Sequence, residues 1–265
     1  MTHYKAILLL ISADDRYNDQ YRMKKILPEW RPLMPFFKSV QRAYSSKRPD
    51  MRTFFVYANS MKASEGREDD LIFEHIREND NPGIVAKTLA AMEVVHNTYS
   101  YDYIVRSNLS TFWDLNRLSD RLDKLPNEKC FAGHLMNTRD AGREMYAAGY
   151  DLVFSRDVIE KIIPYKQEIA DLGTNNRVWC NLEDVAISRA VQQYAETPIV
   201  TYPFRNDIQF MTMDNGFSEE QYKAYMEEAR LNQLDHYRVK NMTDRNTDKE
   251  IMRHLLKDTY GETLL

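Results

Sequence analysis

Short apolar runs that end in polar turns alternate with segments of helical periodicity from Tyr4 to Tyr202. This alternation constrains the fold more than any other feature. Tyr4–Ser12 is a continuous apolar run closed by polar residues, the pattern of a buried strand. Arg52–Tyr57 ("RTFFVY") is aromatic and β-branched and reads as the next strand. Leu71–Ile76, Tyr103–Arg106, Phe131–Leu135, Asp151–Phe154 and Ile199–Tyr202 read as further short strands. Between them, helices are expected at Tyr21–Trp30 (broken near Pro28), Pro32–Tyr44, Thr111–Leu125 (stopped at Pro126), Arg156–Ile163 and Leu182–Tyr194. Ile84–Tyr99 is the clearest helix, because Val85, Thr88, Leu89, Met92, Val95 and His96 recur at helical spacing. Lys62–Asp70 is charged and reads as a surface loop. Such alternation predicts an α/β sandwich with a largely parallel central sheet. After Asn215 the chain is polar and mostly helical in pattern, with helices expected at Ser218–Leu231 and Asp248–Leu256. The expected organisation is a main domain over 1–210 and a helical extension over 211–265 packed on the same domain.

Length and charge set further bounds. A chain of 265 residues can bury a sizeable core. A net charge of −4 implies no general attraction to nucleic acid. The longest apolar run, Ala6–Ile11, is too short to cross a bilayer and lacks a small-residue cleavage site after it. No signal peptide or membrane span is therefore expected, and a cytoplasmic or otherwise soluble location is. Cys130 and Cys180 form no CxxC or metal-finger spacing. Two buried thiols, or one disulfide in an oxidising compartment, are both open. Glycine is scarce, at 8 residues, so turns rely on Asn and Asp.

Four stretches carry candidate chemistry, and each has a structural reading beside the functional one. In "YDYIVRSNLSTFWDLNRL" (Tyr101–Leu118), a strand runs into a polar turn. Ligands of open α/β sheets bind at the carboxyl ends of strands, which places Arg106, Asn108 and Ser110 at a ligand edge with Arg106 aimed at an anion. The structural alternative is that Asn108 caps a turn and Ser110 or Thr111 caps the helix, with Asp114 completing a capping box. In "WCNLEDVAISRAV" (Trp179–Val191), Glu183 and Asp184 are adjacent carboxylates in the first helical turn. They serve either as a general base or as a favourable pairing with the helix dipole, aided by Asn181. In "YAAGYDLVFSRDVIEKI" (Tyr146–Ile162), Gly149 marks either tight packing or close approach of a ligand. In "DHYRVKNMTDR" (Asp235–Arg245), His236, Arg238 and Lys240 share one face if the stretch is extended. The cations suit a diphosphate, His236 suits a metal, and a solvated basic face is the alternative.

No P-loop, GxGxxG, GxSxG or HExxH is present, which removes several common enzyme classes. The six histidines show no ligand spacing.

Together these segments resemble the GT-A glycosyltransferases of the β-1,3-galactosyltransferase and Fringe type. The motif order is similar from about residue 5 to residue 205. "YRMKKILPEW" resembles an Arg-rich helix ending in Trp, with Arg22, Ile26 and Trp30 in register. "DLIFEHIRENDNPGIVAKTLAAMEVV" resembles an acid-rich loop leading to a helix with a Lys-Thr pair, here Lys87-Thr88. The small-residue strand with Gly149 and Ser155 is similar, and "NLEDVAISRAV" matches the Glu-Asp-Val helix start. The form "RSNLSTFWD" also looks like glycosyltransferase-like proteins of large viruses and microbes.

The resemblance implies a GT-A-like fold and an inverting transfer from a nucleotide-diphosphate sugar, most simply a UDP-sugar, to a hydroxyl of a glycan or glycoconjugate. It implies Asp184 as base, Glu183 as fallback, and Lys87, Arg106, Asn108, Ser110 and Gly149 at the donor; Arg238 and Lys240, outside the matched stretch, are further candidate donor ligands because cations suit a diphosphate. The family's Asp-Xaa-Asp motif holds Mn2+ or Mg2+ on the diphosphate, but here it is Asn108-Leu109-Ser110. Neutral oxygens are weaker ligands for a hard cation. Asn108, Ser110 and His236 are the residues available to a metal, and Arg106, Lys87, Arg238 and Lys240 are the cations that would replace it. Two rivals stand beside the transferase: a non-catalytic nucleotide-sugar or glycan-binding protein of the same fold, and a nucleotidyltransferase. The nucleotidyltransferase ranks lower because no glycine-rich loop follows the first strand.

Overall fold

A computed structural model describes residues 2–12, 33–58, 66–78, 82–137, 145–175, 183–200, 209–213, 215–241 and 244–264. The expected helix Tyr21–Trp30, with Arg22, Ile26 and Trp30, lies outside them, as do Cys180, Asn181 and the end of the Ile199–Tyr202 strand. In chain order the elements are β1 (His3–Ile11), α1 (Met34–Ser45), β2 (Met51–Tyr57), β3 (Asp70–Ile72), α2 (Gly83–Thr98), β4 (Ser100–Asn108) and β5 (Thr111–Trp113). There follow α3 (Leu115–Leu122), β6 (Phe131–Ala132), β7 (Leu135–Asn137), β8 (Met145–Ala147), β9 (Asp151–Ser155), α4 (Arg156–Ile162) and α5 (Lys166–Asn175). The last are α6 (Glu183–Tyr194), β10 (Ile199–Val200), β11 (Gln209–Met211), α7 (Glu219–Leu231), β12 (His236–Val239) and α8 (Asn246–Tyr260). Among the described residues, no helix is long and apolar enough to cross a membrane.

By its contacts the chain divides into two compact units. One takes in the described residues of Met1–Asp19, Asp50–Asn108 and Leu125–Tyr202; the other those of Gln20–Pro49, Leu109–Lys124 and Pro203–Leu265.

Among the described residues, the first unit is built on a seven-stranded sheet in the order β10-β6-β9-β4-β1-β2-β3. The pairs β1–β2, β1–β4, β2–β3 and β6–β10 are parallel, and only β9 runs against its neighbours β4 and β6. The fold is thus mixed α/β with a mostly parallel central sheet, in a GT-A-like layout. Side chains alternate across a strand, and Ile7, Leu9 and Ile11 share a core with Val85, Leu89, Met92 and Val95 of α2 and Ile187 and Val191 of α6. Those apolar residues recur at helical spacing because one face of each helix meets the sheet. The chain moves outward from β1 through β2 to β3, then returns to the other side of β1 as β4. That reversal makes the carboxyl ends of β1 and β4 a topological switch point, where open sheets bind ligands. Ile11 and Asn108 are paired there.

In the second unit, β5, β12 and β11 form a three-stranded sheet, with Thr111 opposite Arg238 and Trp113 opposite His236. The polar end of the chain therefore contributes strands as well as helices. Tyr44, Phe112 and Tyr260 pack together, with the Tyr44 and Tyr260 rings stacked at 5.2 Å.

Several expectations need correction. The helix expected over Thr111–Leu125 begins only at Leu115, because Thr-Phe-Trp pairs with β12 instead. Its cap is neither Ser110 nor Thr111 but Asp114, whose carboxylate accepts the Asn116 and Arg117 N–H groups at 3.1 Å. Asn108 ends β4 rather than capping a turn. The Phe131–Leu135 strand is two strands: Phe131–Ala132 stays in the main sheet, and Leu135–Asn137 forms a hairpin with β8. Gly133 allows the crossing, since a Cβ there would meet the Ala147 Cβ at 2.9 Å. Leu71–Ile76 is strand only to Ile72. Helix α5 was not legible, since Pro164 in the 3-10 turn Ile163–Tyr165 masks its start.

Candidate functional site

The first unit gathers a charged cluster at the carboxyl edge of its sheet. Ile104, Arg106 and Asn108 alternate onto the face that α2 and α6 cover, so Arg106 is carried inward. It is only 1% exposed. Its Nη2 pairs with Glu183 Oε1 at the start of α6, and its Nη1 donates to Asn108 Oδ1 at 3.1 Å. The expected anion-facing arginine is corrected by this placement: Arg106 is an internal clamp between β4 and α6. The physical reason is that a buried guanidinium needs an acid, and Glu183 is the acid within reach.

Lys87 is fully buried on α2. Its Nζ donates to the Ser12 carbonyl at 2.6 Å and pairs with Glu78. Glu78 also accepts the Ala58 N–H at 3.1 Å. Lys87 thereby ties together the carboxyl ends of β1 and β2. Burial lowers its proton affinity, and the Glu78 charge works against that. Neither Glu78 nor the Ser12 carbonyl carried a sequence signal, because their roles come from chain crossing rather than from local pattern.

The two neighbouring acids have different environments. Burial pushes Glu183 up to about 7, opposed by the Arg106 charge. Asp184 is also raised by burial, but the Gly149 N–H and Arg106 hold it down. Its Oδ2 accepts the Gly149 N–H at 3.2 Å, and its Oδ1 accepts from Val185 at 3.2 Å. Gly149 lets the guanidinium approach closely, since a Cβ there would meet Arg106 Nη1 at 2.9 Å, with the Asp184 Cβ in ordinary contact at 3.5 Å. Arg106, Asn108, Gly149, Glu183 and Asp184 are thus brought together, with Lys87 in electrostatic reach of Glu183. A residue not anticipated is Tyr146, whose hydroxyl feels the Asp184 charge. Its hairpin is fixed to α6 by the Ala147 N–H, which donates to Ser188 Oγ at 3.1 Å.

The remaining candidates lie in the second unit. Ser110 is buried, and its Oγ accepts from Arg238 Nη1. Lys240 follows β12 and is exposed. His236 does not share an open face with them: it is fully buried, stacked on Trp113 at 4.5 Å, with Nδ1 on Asp235 at 2.7 Å.

These placements do not fit a divalent ion. The Asn108 and Ser110 oxygens each accept from a guanidinium, and a positive neighbour disfavours a cation. His236 is shielded by Trp113. Among the described residues, no group of three or more His, Cys, Asp or Glu side chains converges as a metal site. Cys130 is buried.

The architecture is a mixed α/β fold with a mostly parallel central sheet, in a GT-A-like layout. The structure is similar to the crystal structure of a glycosyltransferase involved in the glycosylation of the major capsid of PBCV-1, with a TM-score of 0.50. The match covers 94% of this chain and 98% of that one at 7% sequence identity, which establishes likeness of fold. The bifunctional IspDF from Campylobacter jejuni matches 76% of this chain and 49% of its own at 11% identity, and its TM-score of 0.36 adds nothing to the assignment. No family model matches the sequence. No curated protein matches it either.

Proposed function

We propose that this chain is an inverting glycosyltransferase of the kind its Glu-Asp-Val motif resembles. It would move a sugar from a nucleotide-diphosphate sugar, with a UDP-sugar as first choice, to a hydroxyl of a glycan or glycoconjugate. One observation carries the reading: Asp184 stands at the start of α6, bonded to the Gly149 N–H, at the switch-point edge of a sheet with the layout of a solved glycosyltransferase. In this reading the acceptor oxygen attacks the anomeric carbon while the bond to the diphosphate breaks, and Asp184 takes the acceptor proton. Glu183 is the weaker choice for the base, because its charge already answers Arg106. Asp184 makes no direct ion pair among the described residues and is oriented by two backbone N–H groups, with the Arg106 charge nearby.

The test is transfer and donor hydrolysis measured across a panel of sugar nucleotides. Asp184→Asn should keep donor binding and lose turnover by about two to four orders of magnitude, the usual worth of general base catalysis. Near-normal turnover in that variant would remove Asp184 from the mechanism.

A second reading has its own support. Asn108 replaces an acid and is bonded to Arg106, so a non-catalytic nucleotide-sugar or glycan-binding protein of the same fold would retain this edge. Donor binding without hydrolysis or transfer under any condition of the panel would favour it.

A further inference from the structure

The side chain of Asn108 has a decided orientation. An arginine has donors only, so the atom that meets Arg106 Nη1 at 3.1 Å must be the amide oxygen. Flipping the amide would set N–H against N–H and leave a buried guanidinium short of an acceptor. Arg106 cannot turn away to permit this, since it is 1% exposed and its other arm is on Glu183. Asn108 therefore keeps Oδ1 inward, and Nδ2 is its remaining polar atom. Nδ2 has no hydrogen-bond partner among the described residues. Asn108 itself is half-buried, at the carboxyl end of β4 beside Ile11 of β1. The switch-point edge thus presents an N–H donor at this position, whereas a divalent ion needs an oxygen.

We infer that Asn108 Nδ2 donates directly to a phosphate oxygen of the sugar-nucleotide donor, with no divalent ion bridging at this position. The inference rests on the donor reading above and specifies how that donor is held. A hydrogen bond to a charged oxygen is about twice as strong as a neutral one, so the diphosphate is the favoured partner of this amide over a sugar hydroxyl. Arg106 and Glu183 are then positioning residues: they fix the amide and do not touch the ligand.

The experiment is calorimetric titration of the whole chain with UDP and with uridine, in EDTA and in millimolar Mn2+. Wild type should bind UDP with affinities within about twofold in the two buffers, and Asn108→Ala should weaken UDP by about tenfold, as for loss of one charge-assisted bond. Asn108→Asp can keep one oxygen on Arg106 and turn the other outward. It should bind UDP at least about tenfold more weakly in EDTA and regain affinity in Mn2+. Uridine affinity should be the same in all three proteins, and thermal unfolding of the aspartate variant reports whether the fold is kept. Wild-type binding of UDP only in Mn2+ would overturn the inference while leaving the donor reading intact. Unchanged UDP affinity in both variants would overturn it as well. If wild type bound no nucleoside diphosphate in either buffer, the donor reading itself would fall.

Discussion

Glu183 and Asp184 are neighbours in sequence with different tasks. Glu183 is turned to Arg106, and burial raises its proton affinity. Asp184 is turned to the Gly149 N–H. A prediction on pH follows from the first. With a folded value of about 7 against an ordinary 4.5, Glu183 binds more protons folded than unfolded between those values. Stability from this group is fully present below about 4.5 and is lost as pH rises through about 7. Glu183→Gln removes that dependence. Melting temperatures of wild type and variant, compared from pH 4.5 to pH 8, should show wild type losing ground steadily as pH rises. A constant difference across that range would mean that burial does not raise the proton affinity of Glu183 in the folded chain.

The informative element is the passage from β4 through β5 into α3. A polar strand end, three residues of β5 and an eight-residue helix follow one another with little slack. Asp114 makes the change of direction by accepting two N–H groups of the first turn, and Arg117 lies 3.5 Å from its other oxygen. Asp114→Ala should therefore destabilise the chain by about 1 kcal/mol, within the usual range for a lost cap. Asp114→Asn should retain most of that stability. Equilibrium denaturation in urea measures both; equal losses in the two variants would show that charge, not capping, is what Asp114 supplies.

For the whole molecule, the donor reading predicts linkage between binding and unfolding. A ligand that binds only the folded state at 100 times its dissociation constant stabilises by about 2.7 kcal/mol. A thermal-shift screen of sugar nucleotides should thus move the transition that reports the first unit by about 5–10 °C for the right donor. No shift with any sugar nucleotide, with manganese or with EDTA, would count against a nucleotide-sugar site.

The elements most legible in the sequence were those whose pattern is local and long. Tyr4–Ser12, Arg52–Tyr57 and Ile84–Tyr99 each match an observed element to within a residue at either end. Burial against one sheet or one helix face writes a period into such segments, so the α/β class followed from the chain alone. The same holds for the position of Arg106, Asn108, Gly149 and Asp184 at one edge, since strand ends and helix starts in this architecture share that edge. Pairing across distant parts of the chain was not legible. Thr111–Trp113 carries β-branched and aromatic residues that suit a strand, yet its sequence neighbours suit a helix, and only the partner His236–Val239 decided between them. Likewise a strand-end arginine reads equally as a ligand for an anion or as a buried clamp. The presence of Glu183 beside it chose the clamp, because removing a guanidinium from water is tolerable only where an acid and an acceptor are already in place. Composition and periodicity determined the apolar faces and which strand ends and helix starts share an edge; tertiary contact decided which polar groups are buried and which satisfy each other.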